Sequence, residues 1–260
     1  MTTHPPAVRP LRPSAAHATR EAVVTGHGIV KRFGTGSAAV DALRGVDVSF
    51  ARGSFTAIMG PSGSGKSTLL HILAGLDRPT AGWVDIAGTR LDRLGDRDLT
   101  LLRRREVGFV FQSYNLLPVL SAEENITLPL RIGGLRVDRE WLEALIAAVG
   151  LGDRRAHRPA ELSGGQQQRV AVARALITRP AVVFGDEPTG NLDSVSSREV
   201  LELMRRAVDD LGQTIVMVTH DPRAATFADR VVFLADGLIS GIEERPTIDT
   251  ILDHLRSGTP

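Results

Sequence analysis

The chain has 260 residues, 42% of them hydrophobic, and a formal net charge of +1, as expected of a globular, soluble protein with a sizeable core. The near-neutral charge gives no reason to expect bulk attraction to nucleic acid or membrane, and the lack of cysteine excludes disulfides, thiolate catalysis and cysteine-ligated metals. No apolar run approaches the roughly 20 residues that a membrane-spanning helix needs.

The N-terminal part combines an extension with a predicted hairpin. The first 20 residues are rich in Pro, Ala and Arg and lack the apolar segment of a secretory signal. We interpret 1–22 as a disordered extension, with a regulatory or binding role as the alternative. Residues 23–50 alternate between apolar and polar, with a break at Gly34-Thr35-Gly36-Ser37, which predicts an antiparallel hairpin. Phe33 in this region is also compatible with a core position.

A phosphate-binding motif follows a buried strand predicted at 54–59. The octapeptide from Gly60 to Ser67 has the form G-x-x-x-x-G-K-[ST], and the residues after it have the leucine spacing of a helix. The glycines allow backbone N–H groups to surround an anion, which the positive end of the helix dipole also attracts. Lys66 can then reach the β- and γ-phosphates of a nucleotide, and the Ser67 hydroxyl can bind Mg²⁺.

The middle of the chain has few motifs. Its predicted elements are a strand at 84–89, a charged surface helix at 92–105, an apolar strand at 108–112, an irregular segment at 113–130 and an amphipathic helix at 138–149. Pro118 and Pro129 lie in the segment interpreted as irregular.

A second anion-binding element is predicted at Leu162-Ser163-Gly164-Gly165-Gln166. Ser163 is a candidate N-cap of a helix predicted at 167–177, and the two glycines open the backbone in front of that helix. A simple capped turn is the alternative, but such a turn would not require two glycines followed by three glutamines.

Two adjacent carboxylates, Asp186 and Glu187, end an apolar strand predicted at 181–185. Such a pair is costly at a buried strand end unless it serves a cation or a proton. We expect Asp186 to hold Mg²⁺ together with Ser67, and Glu187 to polarise water. His220 follows the next predicted strand and can donate a hydrogen bond to a phosphate oxygen.

Helices and strands alternate in the rest of the chain. The remaining predictions are a helix at 195–209 capped by Asn191-Leu192-Asp193-Ser194, a strand at 214–218, a hairpin at 231–239 and a short helix from Thr247. This alternation predicts an α/β fold with a mainly parallel sheet. Gly60, Gln112, Asp186 and His220 fall at or just past strand ends, where phosphates bind in such sheets.

This set of motifs resembles the ATP-binding subunits of ABC transporters, over nearly the whole chain from Val23. Residues 60–68 are similar to the Walker A motif of that family, and Gln112 is similar to its Q-loop glutamine. Residues 162–166 match the signature motif, which other P-loop enzymes lack. The remaining matches are Asp186 and Glu187 with Walker B and its catalytic base, Asn191 to Asp193 with the D-loop, and His220 with the switch histidine.

The resemblance implies a P-loop NTPase fold with a RecA-like core, an antiparallel β-subdomain and an inserted helical subdomain. The ATP-binding domain would span 23–260, with the helical subdomain at about 113–178. The implied catalytic residues are Lys66, Gln112, Glu187 and His220, and the implied Mg²⁺ ligands are Ser67, Gln112 and Asp186. The residues implied to contact ATP are Phe33, Gly60, Pro61, Ser62, Gly63, Ser64, Gly65, Lys66, Ser67, Thr68, Ser163, Gly164, Gly165, Gln166 and Asp193.

Two positions depart from the usual pattern of the family. Phe33 stands where Tyr is common, so that stacking on adenine is kept without the hydroxyl. Gly185 stands where Ala is usual, just before the carboxylate pair. Neither change removes a catalytic group.

The resemblance also implies partners and a cellular setting. Two copies would form a head-to-tail homodimer, in which 163–166 of one subunit close the ATP held by the other. The dimer would drive an integral membrane permease from the cytoplasmic face of the plasma membrane. Residues 108–118 and 186–193 are similar to the MacB/LolD/FtsE-like branch, which implies export or extraction of lipoprotein, peptide or drug.

Two other functions are known among ABC ATPases. An ABC ATPase that acts on nucleic acid would carry long coiled-coil or zinc insertions, or two ATPase units, and the chain has one P-loop and only a modest segment between Gln112 and Leu162. An ABC ATPase that regulates cell-envelope enzymes through a membrane partner, without transport, stays open as the alternative.

Overall fold

The structure is a computed structural model that describes residues 21–34, 36 and 39–257, so the extension expected at 1–22 lies almost wholly outside the described residues. Its strands are β1 (Ala22–Phe33), β2 (Val40–Ala51), β3 (Phe55–Met59), β4 (Ala81–Ile86), β5 (Thr89–Arg90), β6 (Val107–Phe111), β7 (Val182–Asp186), β8 (Ile215–Val218), β9 (Arg230–Ala235) and β10 (Leu238–Glu244). Its helices are α1 (Lys66–Leu73), α2 (Asp96–Glu106), α3 (Ala122–Ile132), α4 (Arg139–Ala148), α5 (Gly164–Leu176), α6 (Ser194–Leu211), α7 (Pro222–Ala225) and α8 (Ile248–Ser257).

Four strands form an antiparallel sheet in the order β2-β1-β4-β5. The alternation that predicted a hairpin places Val24 opposite Phe50, and both side chains are fully buried on the inner face. This face packs on α1, with which it shares a hydrophobic core. The predicted antiparallel region is therefore confirmed.

A six-stranded sheet in the order β10-β9-β3-β8-β7-β6 forms the centre of the molecule. All neighbouring strands are parallel except β9 and β10. Every residue of β3 is buried, as expected for a central strand that is covered on both faces. The mainly parallel sheet and the separate antiparallel sheet confirm the predicted fold class.

Helices α3, α4 and α5 lie between β6 and β7 in the chain. They bury one apolar face each, with Ile126 of α3, Leu145 of α4 and Val172 of α5 in the same hydrophobic core. Among the described residues, no helix combines the length and the apolar character needed to cross a membrane.

The prediction of an irregular segment at 113–130 is wrong in its second half, because α3 begins at Ala122. Ser121 and Glu124 form a capping box: the Ser121 hydroxyl accepts from the Glu124 N–H, and the Glu124 carboxylate accepts from the Ser121 N–H. Pro129 lies inside this helix. The cap and the burial of Ile126 and Leu130 outweigh the backbone hydrogen bond that Pro129 cannot make.

A second difference concerns the start of α5. The two glycines after Ser163 were expected to precede the helix, but Gly164 and Gly165 are its first two residues. Ser163 is the N-cap, as predicted, so the helix begins directly after the cap and the glycines occupy its first turn.

Candidate functional site

The loop between β3 and α1 has a backbone that only glycine fits at two positions. Gly60 and Gly65 have φ values of 153° and 100°, in the region that disfavours side chains. A Cβ atom at Gly60 would collide with the Leu234 carbonyl oxygen, and one at Gly65 with that of Ala42. The close approach of β9 and β2 therefore sets the shape of the loop.

Lys66, the first residue of α1, points back into this loop. Its Nζ donates to the carbonyl oxygens of Gly60 at 3.0 Å and Pro61 at 2.7 Å, and the residue is only 9% exposed. Burial lowers the pKa of Lys66, and the charges of Glu187 and Asp186 oppose that shift. A buried ammonium held by two carbonyl oxygens is ready to exchange them for the oxygens of an anion.

The first turn of α1 also favours an anion. It contains no acidic residue, so the positive end of the helix dipole is not compensated there. The Ser64 hydroxyl oxygen nearby is buried and has no hydrogen-bond partner among the described residues. A phosphate group is the kind of ligand that would satisfy both features.

Ser67 and Asp186 meet although 119 positions separate them in the chain. The Ser67 hydroxyl donates to Oδ1 of Asp186 at 3.0 Å, and His71 Nε2 lies 3.4 Å from Oδ2. The hydrogen bond to Asp186 raises the pKa of His71, against the effect of burial. One hydroxyl and one carboxylate are oxygen donors of the type that Mg²⁺ accepts, so these residues fit that ion.

Glu187 and His220 lie at the ends of β7 and β8, which are neighbours in the sheet. Nδ1 of His220 is 2.9 Å from Oε2 of Glu187. Glu187 has the left-handed φ of 48°, and its N–H donates to the Val218 carbonyl oxygen at 3.0 Å. The carboxylate is mostly buried, whereas the imidazole is 68% exposed and accessible to a ligand.

Gln112 faces the loop that follows Glu187. Its Nε2 donates to Oδ1 of Asn191 at 3.1 Å, and Nδ2 of Asn191 donates to the Gln112 carbonyl oxygen at 3.2 Å. Among the described residues, the Gln112 side chain makes no hydrogen bond with the side chain of Ser67 or of Asp186, the other two expected metal ligands.

The second expected anion-binding element is built as a capping box. The Ser163 hydroxyl accepts from the Gln166 N–H at 3.2 Å, and Oε1 of Gln166 accepts from the Ser163 N–H at 2.9 Å. A Cβ atom at Gly164 would lie 2.8 Å from the Tyr114 hydroxyl, and one at Gly165 would lie 2.7 Å from Ser196 Oγ. A side chain at either position would therefore displace the side chain of Tyr114 or Ser196.

The expected site residues fall into two groups. The structure brings together Lys66, Ser67, Asp186, Glu187 and His220. It does not join residues 163–166 to the loop at 60–68 through any hydrogen bond or ion pair in the part of the chain that it describes.

Phe33 and Asp193, both expected to contact nucleotide, have different environments. Phe33 is 46% exposed with Lys31 Nζ 5.0 Å from its ring centroid, so the alternative of a core position is wrong. Asp193 is the N-cap of α6. Its carboxylate accepts from the Val195 and Ser196 N–H groups, and hydrogen bonds to Ser196 lower the pKa of Asp193.

Two polar residues of α5, one fully buried and one partly buried, escaped the sequence analysis. Gln168 is fully buried and donates to the Phe111 and Pro188 carbonyl oxygens. Arg174 donates to the Tyr114 and Asn115 carbonyl oxygens, and burial lowers the pKa of Arg174. Helical spacing was the available signal, because Gln168 is four residues before the buried Val172 and shares its face.

Tyr114 and Asn115 are themselves unusual. Both have left-handed backbones, with φ values of 56° and 50°, which residues other than glycine adopt at a cost. The Arg174 guanidinium, with Nη2 2.7 Å from the Tyr114 carbonyl oxygen, holds this pair of residues against α5.

Comparison with known proteins agrees with this geometry. The family model described as "ABC transporter" matches residues 43–190. An uncharacterized ABC transporter ATP-binding protein of Thermotoga maritima is 50% identical over 220 residues, which are 84% of this chain and 94% of that protein. The lipoprotein-releasing system ATP-binding protein LolD of Geobacter metallireducens is 46% identical over 81% of this chain and 95% of its own length.

Two further likenesses concern a longer relative and a solved structure. The macrolide export ATP-binding/permease protein MacB of Bdellovibrio bacteriovorus is 45% identical over 83% of this chain, and the match spans only 33% of MacB. The cassette MJ0796, solved as a dimer in a post-hydrolysis state with ADP and Pi, is 39% identical with a TM-score of 0.77, covering 86% of this chain and 99% of that one.

Proposed function

Because this chain belongs to the ABC transporter family and is an ATPase cassette of that family, we propose that two copies dimerise on ATP to drive a membrane permease. The observation that carries this proposal is the division of the site. The loop at 60–68 and the acid–histidine pair lie together, whereas 163–166 lie apart with no bond to them in the described part of the chain. The first turn of α5 contains no acidic residue, so its positive helix end is free to attract an anion. With no bond to the loop at 60–68 among the described residues, this element is suited to complete the site of a second copy.

The residues have the following roles in the proposed reaction. Lys66 and the loop N–H groups hold the β- and γ-phosphates of ATP in line for attack by water. Glu187 orients the water and accepts its proton, and His220 donates to a γ-phosphate oxygen while fixing the Glu187 carboxylate. Phe33 stacks on adenine through its exposed face.

Ser67 and Asp186 are the proposed ligands of Mg²⁺. When bound, that ion neutralises charge on the phosphates. Gln112 is proposed as a further ligand that would reach the ion through Oε1. Its Nε2 donates to Oδ1 of Asn191, which orients the side chain toward the loop after Glu187. We further propose that the ATP-binding domain spans 23–260, with a helical subdomain at 113–178.

The first experiment measures mass with and without ATP. Glu187→Gln should bind ATP, lose turnover and double in mass when ATP is added, because ATP trapped between two copies is not hydrolysed. Glu187→Gln with Ser163→Arg should stay monomeric, since the arginine places bulk and charge where the other copy's phosphates would lie. Normal turnover in Glu187→Gln would refute the role of Glu187, and no increase in mass with ATP would refute the dimer.

The proposed permease contact lies after Gln112. Leu117 is 44% exposed and Val119 72% exposed, which leaves apolar surface beside a residue of the site. The names of two relatives, a macrolide export ATP-binding/permease protein and a lipoprotein-releasing system ATP-binding protein, support a permease for export or extraction. We further propose that the dimer approaches this permease from the cytoplasmic face of the plasma membrane, and that the cargo is a lipoprotein, peptide or drug.

Cysteine crosslinking tests this contact, and the chain has no native cysteine to interfere. Cysteines at Leu117 and Val119 should capture a permease with few membrane spans and a large external domain. A cysteine at Ile242, an exposed apolar residue of β10, serves as the matched control and should capture none. Capture of a many-span importer, or of no membrane protein, would contradict the pairing.

A further inference from the structure

Gln168 is a fully buried polar side chain on α5 that bridges two strand ends. Its Nε2 donates to the Pro188 carbonyl oxygen at 2.6 Å and to the Phe111 carbonyl oxygen at 3.3 Å. Pro188 directly follows Glu187, and Phe111 directly precedes Gln112. One amide group therefore links the helix that begins at the signature residues to the backbone beside two residues of the proposed site.

The other end of the same amide is unsatisfied. Oε1 of Gln168 is buried and has no hydrogen-bond partner among the described residues. A buried acceptor without a partner lowers stability, so an apolar side chain of similar size would serve better if packing were the only role of Gln168. The amide must therefore be useful through the hydrogen bonds that its nitrogen donates.

The backbone that Gln168 holds is strained at Glu187. The left-handed φ of 48° is unfavourable for a residue with a side chain, and surrounding bonds must maintain it. The Glu187 N–H donates to the Val218 carbonyl oxygen, and the Glu187 carbonyl oxygen accepts from the Gly190 N–H, both at 3.0 Å. Gln168 donates a further hydrogen bond to the Pro188 carbonyl oxygen, which fixes the plane of the peptide bond between Pro188 and Thr189.

We propose that Gln168 is a positioning residue for Glu187. By binding the Pro188 carbonyl oxygen, Gln168 keeps the Glu187 carboxylate oriented toward His220 and the attacking water. Because Gln168 is part of α5, the orientation of that carboxylate then depends on the position of α5. This inference rests on the proposed function, in which Glu187 acts on the water. Misplacement of a reacting group by about 1 Å is enough to lower turnover strongly.

The test compares Gln168→Met with Gln167→Met. Gln167 is the neighbouring residue on the same helix and donates to the Leu162 carbonyl oxygen at 3.1 Å, away from Glu187. Gln168→Met should lower kcat about tenfold or more, with ATP affinity and KM unchanged and with the protein still fully folded at the assay temperature. Gln167→Met should leave kcat unchanged.

A double variant tests whether Gln168 acts through Glu187. Adding Gln168→Met to Glu187→Gln should cause no further fall in the residual turnover, because the carboxylate that Gln168 positions is already gone. A further fall equal to that of Gln168→Met alone would overturn the proposal. Gln168→Leu repeats the comparison with a second apolar side chain.

The remaining outcomes are also decisive. Normal kcat in Gln168→Met and Gln168→Leu, with Glu187→Gln inactive, would overturn this inference and leave the proposed function intact. Loss of kcat together with ATP affinity and thermal midpoint, or failure of both variants to fold, would show a purely structural role and overturn it as well. Normal turnover in Glu187→Gln would instead refute the proposed function itself.

Discussion

His220 Nδ1 lies 2.9 Å from Glu187 Oε2, and this contact joins the ends of two neighbouring parallel strands. The last residues of these strands, Asp186 of β7 and Val218 of β8, are paired in the sheet. Glu187 is the first residue after β7, and His220 is the second residue after β8. The sheet therefore fixes how far apart the two side chains can be, and the imidazole fixes where the carboxylate points.

Replacing His220 by alanine should lower kcat about 10²- to 10³-fold, because the carboxylate loses its orienting contact and the γ-phosphate loses a donor. ATP affinity should change much less. Single-turnover hydrolysis and equilibrium ATP binding would separate the two effects. His27→Ala is the matched control, since His27 also contacts a carboxylate, that of Asp47 at 3.3 Å, but lies on the antiparallel sheet. An unchanged kcat in His220→Ala would contradict the role of this pair.

Lys66→Ala should weaken ATP binding itself by about 10- to 100-fold, the loss expected when charge-assisted hydrogen bonds are removed. Lys66→Arg should not restore binding, since Lys66 is almost buried and its Nζ is enclosed by the Gly60 and Pro61 carbonyls. Calorimetric titration with ATP is the measurement, and circular dichroism checks that both variants fold. Normal ATP affinity in Lys66→Ala would mean that the loop does not hold the phosphates.

Two strand glycines should respond oppositely to alanine. A Cβ atom at Gly185 would meet Pro188 Cγ at 3.4 Å, an ordinary contact, so Gly185→Ala should keep or raise the free energy of unfolding by up to about 1 kcal/mol. A Cβ atom at Gly108 would collide with the Ala175 carbonyl oxygen, so Gly108→Ala should lower the free energy of unfolding by about 1–3 kcal/mol. Denaturant unfolding of both variants is the test. Equal effects would show that neither contact determines stability.

The stability of the metal-free protein should depend on His71 below neutral pH. Contact with Asp186 raises the pKa of His71 above its unfolded value near 6.5. The contribution of His71 to the free energy of unfolding is therefore fully present below pH 6.5, and it is lost as the pH rises through the pKa of His71 in the folded protein. Because the side chain is 39% exposed, solvent screening keeps this contribution below about 1 kcal/mol.

Unfolding in EDTA, without nucleotide, at pH 5.5 and pH 8.5 measures this effect. The difference in stability between the unchanged protein and His71→Gln should be larger at pH 5.5. A difference that is equal at both values, or larger at pH 8.5, would rule out the contact with Asp186 as its source.

The elements that sequence analysis located correctly have local signals. The loop from Gly60 to Ser67 depends on glycines at fixed spacing, and the caps at Ser163 and Asp193 bond to N–H groups two or three residues away. Strands such as β3 are short apolar runs, and their order as a parallel sheet follows from alternation with helices. Each of these features can be inferred from residues that are near one another in the chain.

The features that escaped prediction depend on distant residues. Pro129 favoured an irregular segment, but a helix forms there because the Ser121 cap and the burial of Ile126 and Leu130 in a core shared with α5 outweigh its effect. The exposure of Phe33 and the role of Gln168 depend on which backbone segments lie beside them. The bonds from Gln168 reach carbonyls 57 and 20 positions away, a relationship that no local pattern contains.

The hydrogen bonds from Arg174 to the Tyr114 and Asn115 carbonyl oxygens have a mechanical consequence. The Tyr114 hydroxyl lies beside Gly164, and Arg174 binds the carbonyl oxygens of Tyr114 and Asn115. The segment just after Gln112 is therefore held firmly against α5. A stiff connection transmits displacement, whereas a compliant one dissipates it. A displacement of this stretch would therefore move α5 with it, whereas loss of the Arg174 hydrogen bonds would let the stretch move on its own.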